Sequence, residues 1–162
     1  MTFSERDFMA LDWFSAALLR NLRVGAVIYR WCGFCEPPKF KYLVVVSTEP
    51  RLLVLVVNSE INQFYIDRGL DKFHVLVPVV EHDFLKHDSY TCCIEAFATF
   101  DLSDLREEIL KKYEDVLKGH LTAKCLVDVY RAVVEQNMIQ RGLKNEILNS
   151  ISSELCAIIS KA

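Results

Sequence analysis

With 162 residues, 52% of them hydrophobic, the chain can bury a core without disulfides or a metal. Its net charge of -3 excludes a general electrostatic pull towards nucleic acid or an acidic membrane, so anion binding has to come from a local patch. The longest apolar runs, YLVVVS and LLVLVVN, fall far short of the roughly 20 residues a membrane-spanning helix needs.

Glu5, Arg6, Asp7 and Asp12 interrupt the N-terminal segment, where a secretory signal would be uniformly apolar, so a cytoplasmic protein is expected. Its six cysteines are then expected to be reduced thiols. Cys125 and Cys156 read as small core residues on apolar helical faces.

From Ser4 the pattern S-x-x-D opens a helix, with Phe8, Leu11, Phe14, Leu18 and Leu22 recurring at helical spacing to about Asn21. VGAVIYRW then switches to β-branched and aromatic residues, and CGFCEPPKF supplies the Gly and Pro that end a strand. KYLVVVS, RLLVLVVNSEI, KFHVLVPVV and YTCCIEAFATF follow as further strands with short connections, which favour antiparallel pairing and a sheet curled into a barrel or half-barrel.

After Asp101, DLSDLREEILKKYEDVLKG puts Leu102, Leu105, Ile109, Tyr113 and Leu117 on one helical face over 102–118, with Gly119 as its stop. Thr122 caps AKCLVDVYRAVVEQN, whose stripe is Leu126, Val129, Tyr130, Val133 and Val134. A last helix, after a break at Gly142, carries Leu143, Ile147, Ile151, Leu155 and Ile158. The expected organisation is one α+β domain over 1–162: an N-terminal helix (1–22), a small, strongly twisted antiparallel barrel of about five strands (24–101) and a helical C-terminal part (102–162). Four helical stripes exceed what so small a sheet can cover, which leaves apolar surface for a partner or a second copy.

Three readings of candidate chemistry arise. HDSYTCC, residues 87–93, contains the residue types of a hydrolase triad. Neighbours on an extended chain point to opposite faces, however, and no G-x-S-x-G elbow surrounds Ser89, so the stretch reads as a polar turn leading into a strand. Cys32 and Cys35 are half of a zinc site, for which one of Cys92 or Cys93, with His82 or His87, would have to supply the rest; two ligand pairs at short spacing are missing, and no metal or other cofactor is expected. PPKFKY places Lys39 and Lys41 on one side of an extended chain, where they can hold phosphates with help from Arg30 and Arg51, or simply decorate a solvated edge. Asn58 and Ser59 turn polar where a very apolar strand ends, either to form the turn or to present a hydroxyl to a substrate.

Taken in order, VGAVIYRW, KYLVVVS, VLVVNSEI, the stretch from FHVLVPVV to YTCCIEAFATF, and LKGHLTAKCLVDVYRAV resemble the MazF/PemK family of bacterial toxins over about residues 25–134. That resemblance implies an SH3-like barrel, a metal-free endoribonuclease acting on single-stranded RNA, an antitoxin partner and a homodimer. Lys41 stands at the family's arginine position, keeping the charge without the planar fork, and Ser59 stands at its threonine position. By the same resemblance Lys41, Ser59 and His87 are the expected catalytic residues, and Arg30 and Lys39 the expected RNA-binding ones. The N-terminal helix, the helix 102–118 and Tyr42 in place of the family's proline depart from the minimal pattern. The competing expectation is a non-catalytic module of the same fold that binds a protein partner through its added helices.

Overall fold

The two most apolar runs of the chain become its two central strands. In the computed structural model, which describes residues 5–161 and side chains from residue 12 onward, β1 (Ala26–Cys32), β2 (Lys39–Ser47) and β3 (Leu53–Asn58) form an antiparallel meander. The helix start expected at Ser4 and the packing expected of Phe8 and Leu11 lie outside that range. β4 (His74–Val77) and β5 (Ser89–Cys92) extend the sheet on one side and β6 (Leu117–His120) on the other, giving the order β4-β5-β3-β2-β1-β6 with every neighbouring pair antiparallel. The fold is α+β: a six-stranded antiparallel sheet curled into a half-barrel, with α1 (Glu5–Leu19), α2 (Gln63–Asp67), α3 (Leu102–Lys111), α4 (Tyr113–Val116), α5 (Ala123–Glu135) and α6 (Arg141–Ser160) around it.

Both faces of the sheet are covered. Leu105, Ile109 and Val116 from α3 and α4 pack with Ile28, Leu43, Val45 and Val54 on one face. Leu126, Val129, Val133, Ile147 and Ile151 from α5 and α6 pack with Val27, Val44, Leu53 and Leu55 on the other. Strands buried on both sides need apolar residues at every position, which is why LVVV and LVLVV lack the alternation of a half-exposed strand. Two covered faces also absorb most of the helical apolar surface, although Trp13, Phe14, Val134 and Ile158 remain exposed.

Several local expectations give way to tertiary pairing. The helix expected over 102–118 ends at Lys111; Lys112 is non-helical, and after the single turn of α4 the chain extends to pair with the free edge of β1, Leu117 opposite Ile28 and Gly119 opposite Val27. Gly119 is therefore a strand residue rather than a helix stop. The backbone polar groups of the β1 edge are satisfied by this pairing, which outweighs the weak helical preference of four residues. YTCCIEAFATF is not one strand either: β5 stops at Cys92 and the chain returns only at Phe97, which exchanges two hydrogen bonds of 3.0 Å with Val54. Gly142 lies in the first turn of α6; the break falls earlier, where the buried Gln136 Oε1 accepts the N–H groups of Met138 and Ile139 at 2.8 and 2.9 Å. Cys125 is buried as expected, but Cys156 is exposed, because residues 156–160 of α6 run beyond the packed layer.

The half-barrel has two edge strands, β4 and β6, and side chains close the gap between them. His82, fully buried, donates from Nδ1 to Pro78 O at 2.8 Å and accepts the Thr122 N–H at Nε2 (3.1 Å), tying the segment after β4 to the start of α5. Thr122 in turn caps α5, its Oγ1 accepting the Cys125 N–H at 3.2 Å, while Cys125 Sγ donates to Leu76 O at 3.4 Å. Phe84 lies over Gly119, so close that a Cβ at that position would stand 2.6 Å from the ring.

Candidate functional site

At the open end of the sheet β3 runs out into a polar turn, and Asn62 starts α2 by accepting the Phe64 N–H at its Oδ1 (2.9 Å). Between this turn, the first half of β2 and the loop before β5 lies a cleft of about 830 Å³. Lys39, Lys41, Ser59 and His87 all border it, together with Lys86, which the sequence reading did not single out. The lining carries three lysines against one carboxylate, Glu60, so a chain of net charge -3 holds a locally positive concavity. Tyr29, Tyr42 and Tyr65 supply its aromatic walls.

Lys41 is half-buried, and its Nζ donates to the Asn58 side-chain oxygen across the β2–β3 pair. Burial holds its pKa below the usual lysine value and the charge of Lys39 adds to that, while the thiols of Cys35, Cys32 and Cys92 pull the other way. A desolvated ammonium with one neutral partner keeps donors free for an anion and interacts with it more strongly than a solvated one. Lys39 at the start of β2 and Ser59 just past the end of β3 are exposed. His87, also exposed, donates from Nδ1 to Asp88 O at 3.0 Å, which fixes the tautomer and leaves Nε2 as the acceptor nitrogen.

The same loop disposes of a hydrolase triad. Ser89 Oγ lies 3.5 Å from His87 Nδ1, but that nitrogen already donates to Asp88 O and cannot take the hydroxyl proton, which goes to the backbone oxygen of His87 at 3.2 Å. Asp88 Oδ1 accepts the Val79 N–H at 2.9 Å instead of orienting the ring, so the three do not form a triad. Ser89 is a buried strand residue, the first of β5.

Arg30 does not join the cleft. It pairs with Glu108 of α3 at 2.6 Å and lies over the Phe100 ring, 4.7 Å from its centroid. Arg51 is likewise engaged elsewhere, with Glu146 of α6 at 3.0 Å. Cys32 is fully buried, and burial, reinforced by the adjacent Cys35, pushes its thiol up to about 11, so it stays protonated at neutral pH. Among the described residues no three His, Cys, Asp or Glu side chains gather as a metal site would need. Likewise, no described helix is long and apolar enough to cross a membrane.

Lys86 was legible in principle, since it adjoins His87 and forms a basic pair with it; the tyrosines were not, because strand aromatics signal packing as readily as a binding wall. These features define an α+β half-barrel with a basic, tyrosine-walled cleft at one end of its sheet. Comparison of the chain with family models, with curated proteins and with solved structures returned no significant match.

Proposed function

We propose that the chain is an endoribonuclease for single-stranded RNA, working without a metal as the toxin of a type II toxin-antitoxin pair. The observation that carries this reading is the convergence on one cleft of Lys39, Lys41, Ser59 and His87, four residues drawn from three separate segments. The ordered resemblance of the strand motifs to the MazF/PemK family is its second support. In this mechanism His87 Nε2 takes the proton of a ribose 2'-OH, the freed oxygen attacks the adjacent phosphorus, and the P–O5' bond breaks as the protonated His87 returns that proton to the 5'-oxygen, giving a 2',3'-cyclic phosphate. Lys41 stabilises the charge that develops on the phosphorane, and Ser59 hydrogen-bonds a non-bridging oxygen. Lys39 positions a neighbouring phosphate, with Lys86 in the place the sequence had offered to Arg30. A protein antitoxin would inhibit by covering this cleft, and a homodimer is the expected assembly, acting in the cytoplasm.

The exposed Trp13, Phe14 and Ile159 on α1 and α6 favour one rival reading, a non-catalytic module that docks a protein partner through its helices. Incubating wild type, Lys41→Ala and His87→Ala with a long single-stranded RNA in EDTA separates the two. Discrete cuts with cyclic phosphate ends, lost in both variants, are expected. An RNA left intact by folded wild-type protein refutes the nuclease.

A further inference from the structure

The β1–β2 hairpin presents two aromatic cross-strand pairs in register, Tyr29 opposite Tyr42 and Trp31 opposite Phe40. The four rings form a continuous ladder, with centroids 5.4 Å apart from Trp31 to Phe40, 5.3 Å from Phe40 to Tyr29 and 4.9 Å from Tyr29 to Tyr42. Mutual packing accounts for part of this, since aromatic cross-strand pairs stabilise a hairpin. It does not account for Trp31 and Phe40 each standing 54% exposed at the outer end of the ladder, where large apolar surface meets water. The inner end is different: Tyr29, Phe40 and Tyr42 also border the basic cleft, and Lys118 Nζ lies 5.9 Å from the centre of the Tyr29 ring.

We infer that this face of the hairpin is a stacking platform for the unpaired bases of a single-stranded RNA whose backbone continues into the lysine-lined cleft. Every base has a π-face, so a ring ladder binds single strands with little sequence preference, while cations beside it neutralise the phosphates. The inference rests on the proposed reading only in taking RNA as the ligand; it requires no cleavage. The cation rim also weighs against a second copy as the occupant. Two copies joined through this one patch would meet around a two-fold axis, bringing Lys86 and Lys118 of one towards the same lysines of the other. Duplex RNA fits poorly, because its bases are already stacked.

The test uses a single-stranded 2'-O-methyl oligonucleotide, which has no 2'-OH to attack and so reports binding alone. The chain has two tryptophans, and a Trp13→Phe background makes Trp31 the sole reporter. The expected results are quenching of Trp31 emission on titration, weak or no quenching by a duplex, and a Trp31→Ala/Phe40→Ala variant that binds about fivefold to a hundredfold more weakly for each ring lost. If the double alanine variant loses the hairpin, Trp31→Leu/Phe40→Leu keeps the apolar bulk while removing the π-faces. Unchanged emission with unchanged affinity in the double variant overturns the platform, even if ordinary RNA is still cut. A dimer in light scattering that the double variant dissociates, with RNA affinity unaltered, overturns it in favour of a contact between copies. Quenching by the modified strand without any cleavage of ordinary RNA keeps the platform and removes the nuclease.

Discussion

Replacing Gly119 by alanine tests how the half-barrel closes beside the cleft. The added Cβ would lie 2.6 Å from Phe84 Cδ1 and 2.8 Å from Cε1, distances that real side chains essentially never show. The ring has little room to retreat, because Tyr42 packs on it with centroids 6.3 Å apart and His82 meets it edge-on at 5.8 Å. Overpacking a braced site of this kind costs about 1–3 kcal/mol. For a domain of this length that lowers Tm by about 2–12 °C. The backbone itself is not the obstacle, since among the described residues only Gly25 and Gly69 stand at positive φ. In a Phe84→Ala background, then, the same Gly119→Ala change should be neutral or stabilising by about 0.4–1 kcal/mol through the unfolded chain. The two changes should couple by about 1–4 kcal/mol in a double-mutant cycle read from urea denaturation. An equal cost in both backgrounds, or a Gly119→Ala midpoint matching wild type, would refute the wedge. The displaced ring also presses on Tyr42, whose hydroxyl donates to Phe84 O at 3.2 Å, so RNA affinity should fall with stability.

Lys41→Met should abolish RNA cleavage while leaving the protein at least as stable at neutral pH. Burial lowers the native pKa of Lys41 below its ordinary value of 10.5, so between those two values the unfolded chain binds more protons and wild-type stability rises with pH. The variant lacks that slope, and a series of urea midpoints from neutral pH upward that ran parallel for the two proteins would contradict this account. His82→Ala strands Pro78 O and the Thr122 N–H and leaves a buried hole, so a loss of about 3 kcal/mol or more is expected in denaturant titration, with α5 protection from hydrogen exchange reduced first. Arg30→Ala, by contrast, should cost about 1 kcal/mol through its pair with Glu108 yet leave affinity for single-stranded RNA unchanged in a filter-binding assay; a clear loss of affinity with an intact fold would put Arg30 back in the interface.

Much of this architecture is legible in local pattern. LVVV and LVLVV announce strands buried on both faces, Thr122 announces the start of α5, and the stripe of Leu126, Val129 and Val133 announces the face it buries. Lys39, Lys41, Ser59 and His87 are visible as polar residues at strand ends and in a loop, where a buried sheet meets solvent. Their convergence is a different matter. Strand alternation assigns Arg30 to a face, but only the arrival of α3 seventy-eight residues later puts Glu108 there to bind it. LKGH carries no strand signal of its own; it becomes β6 because β1 offers an unpaired edge. Cys156 looks like a core residue on its helix and is exposed because α6 outruns the layer it packs on. Residue order thus determined the conformations that neighbours along the chain can enforce through sterics, capping and apolar spacing. Which faces are covered, which edges pair and which cations stay free were decided only when segments far apart in the chain competed for the same surface.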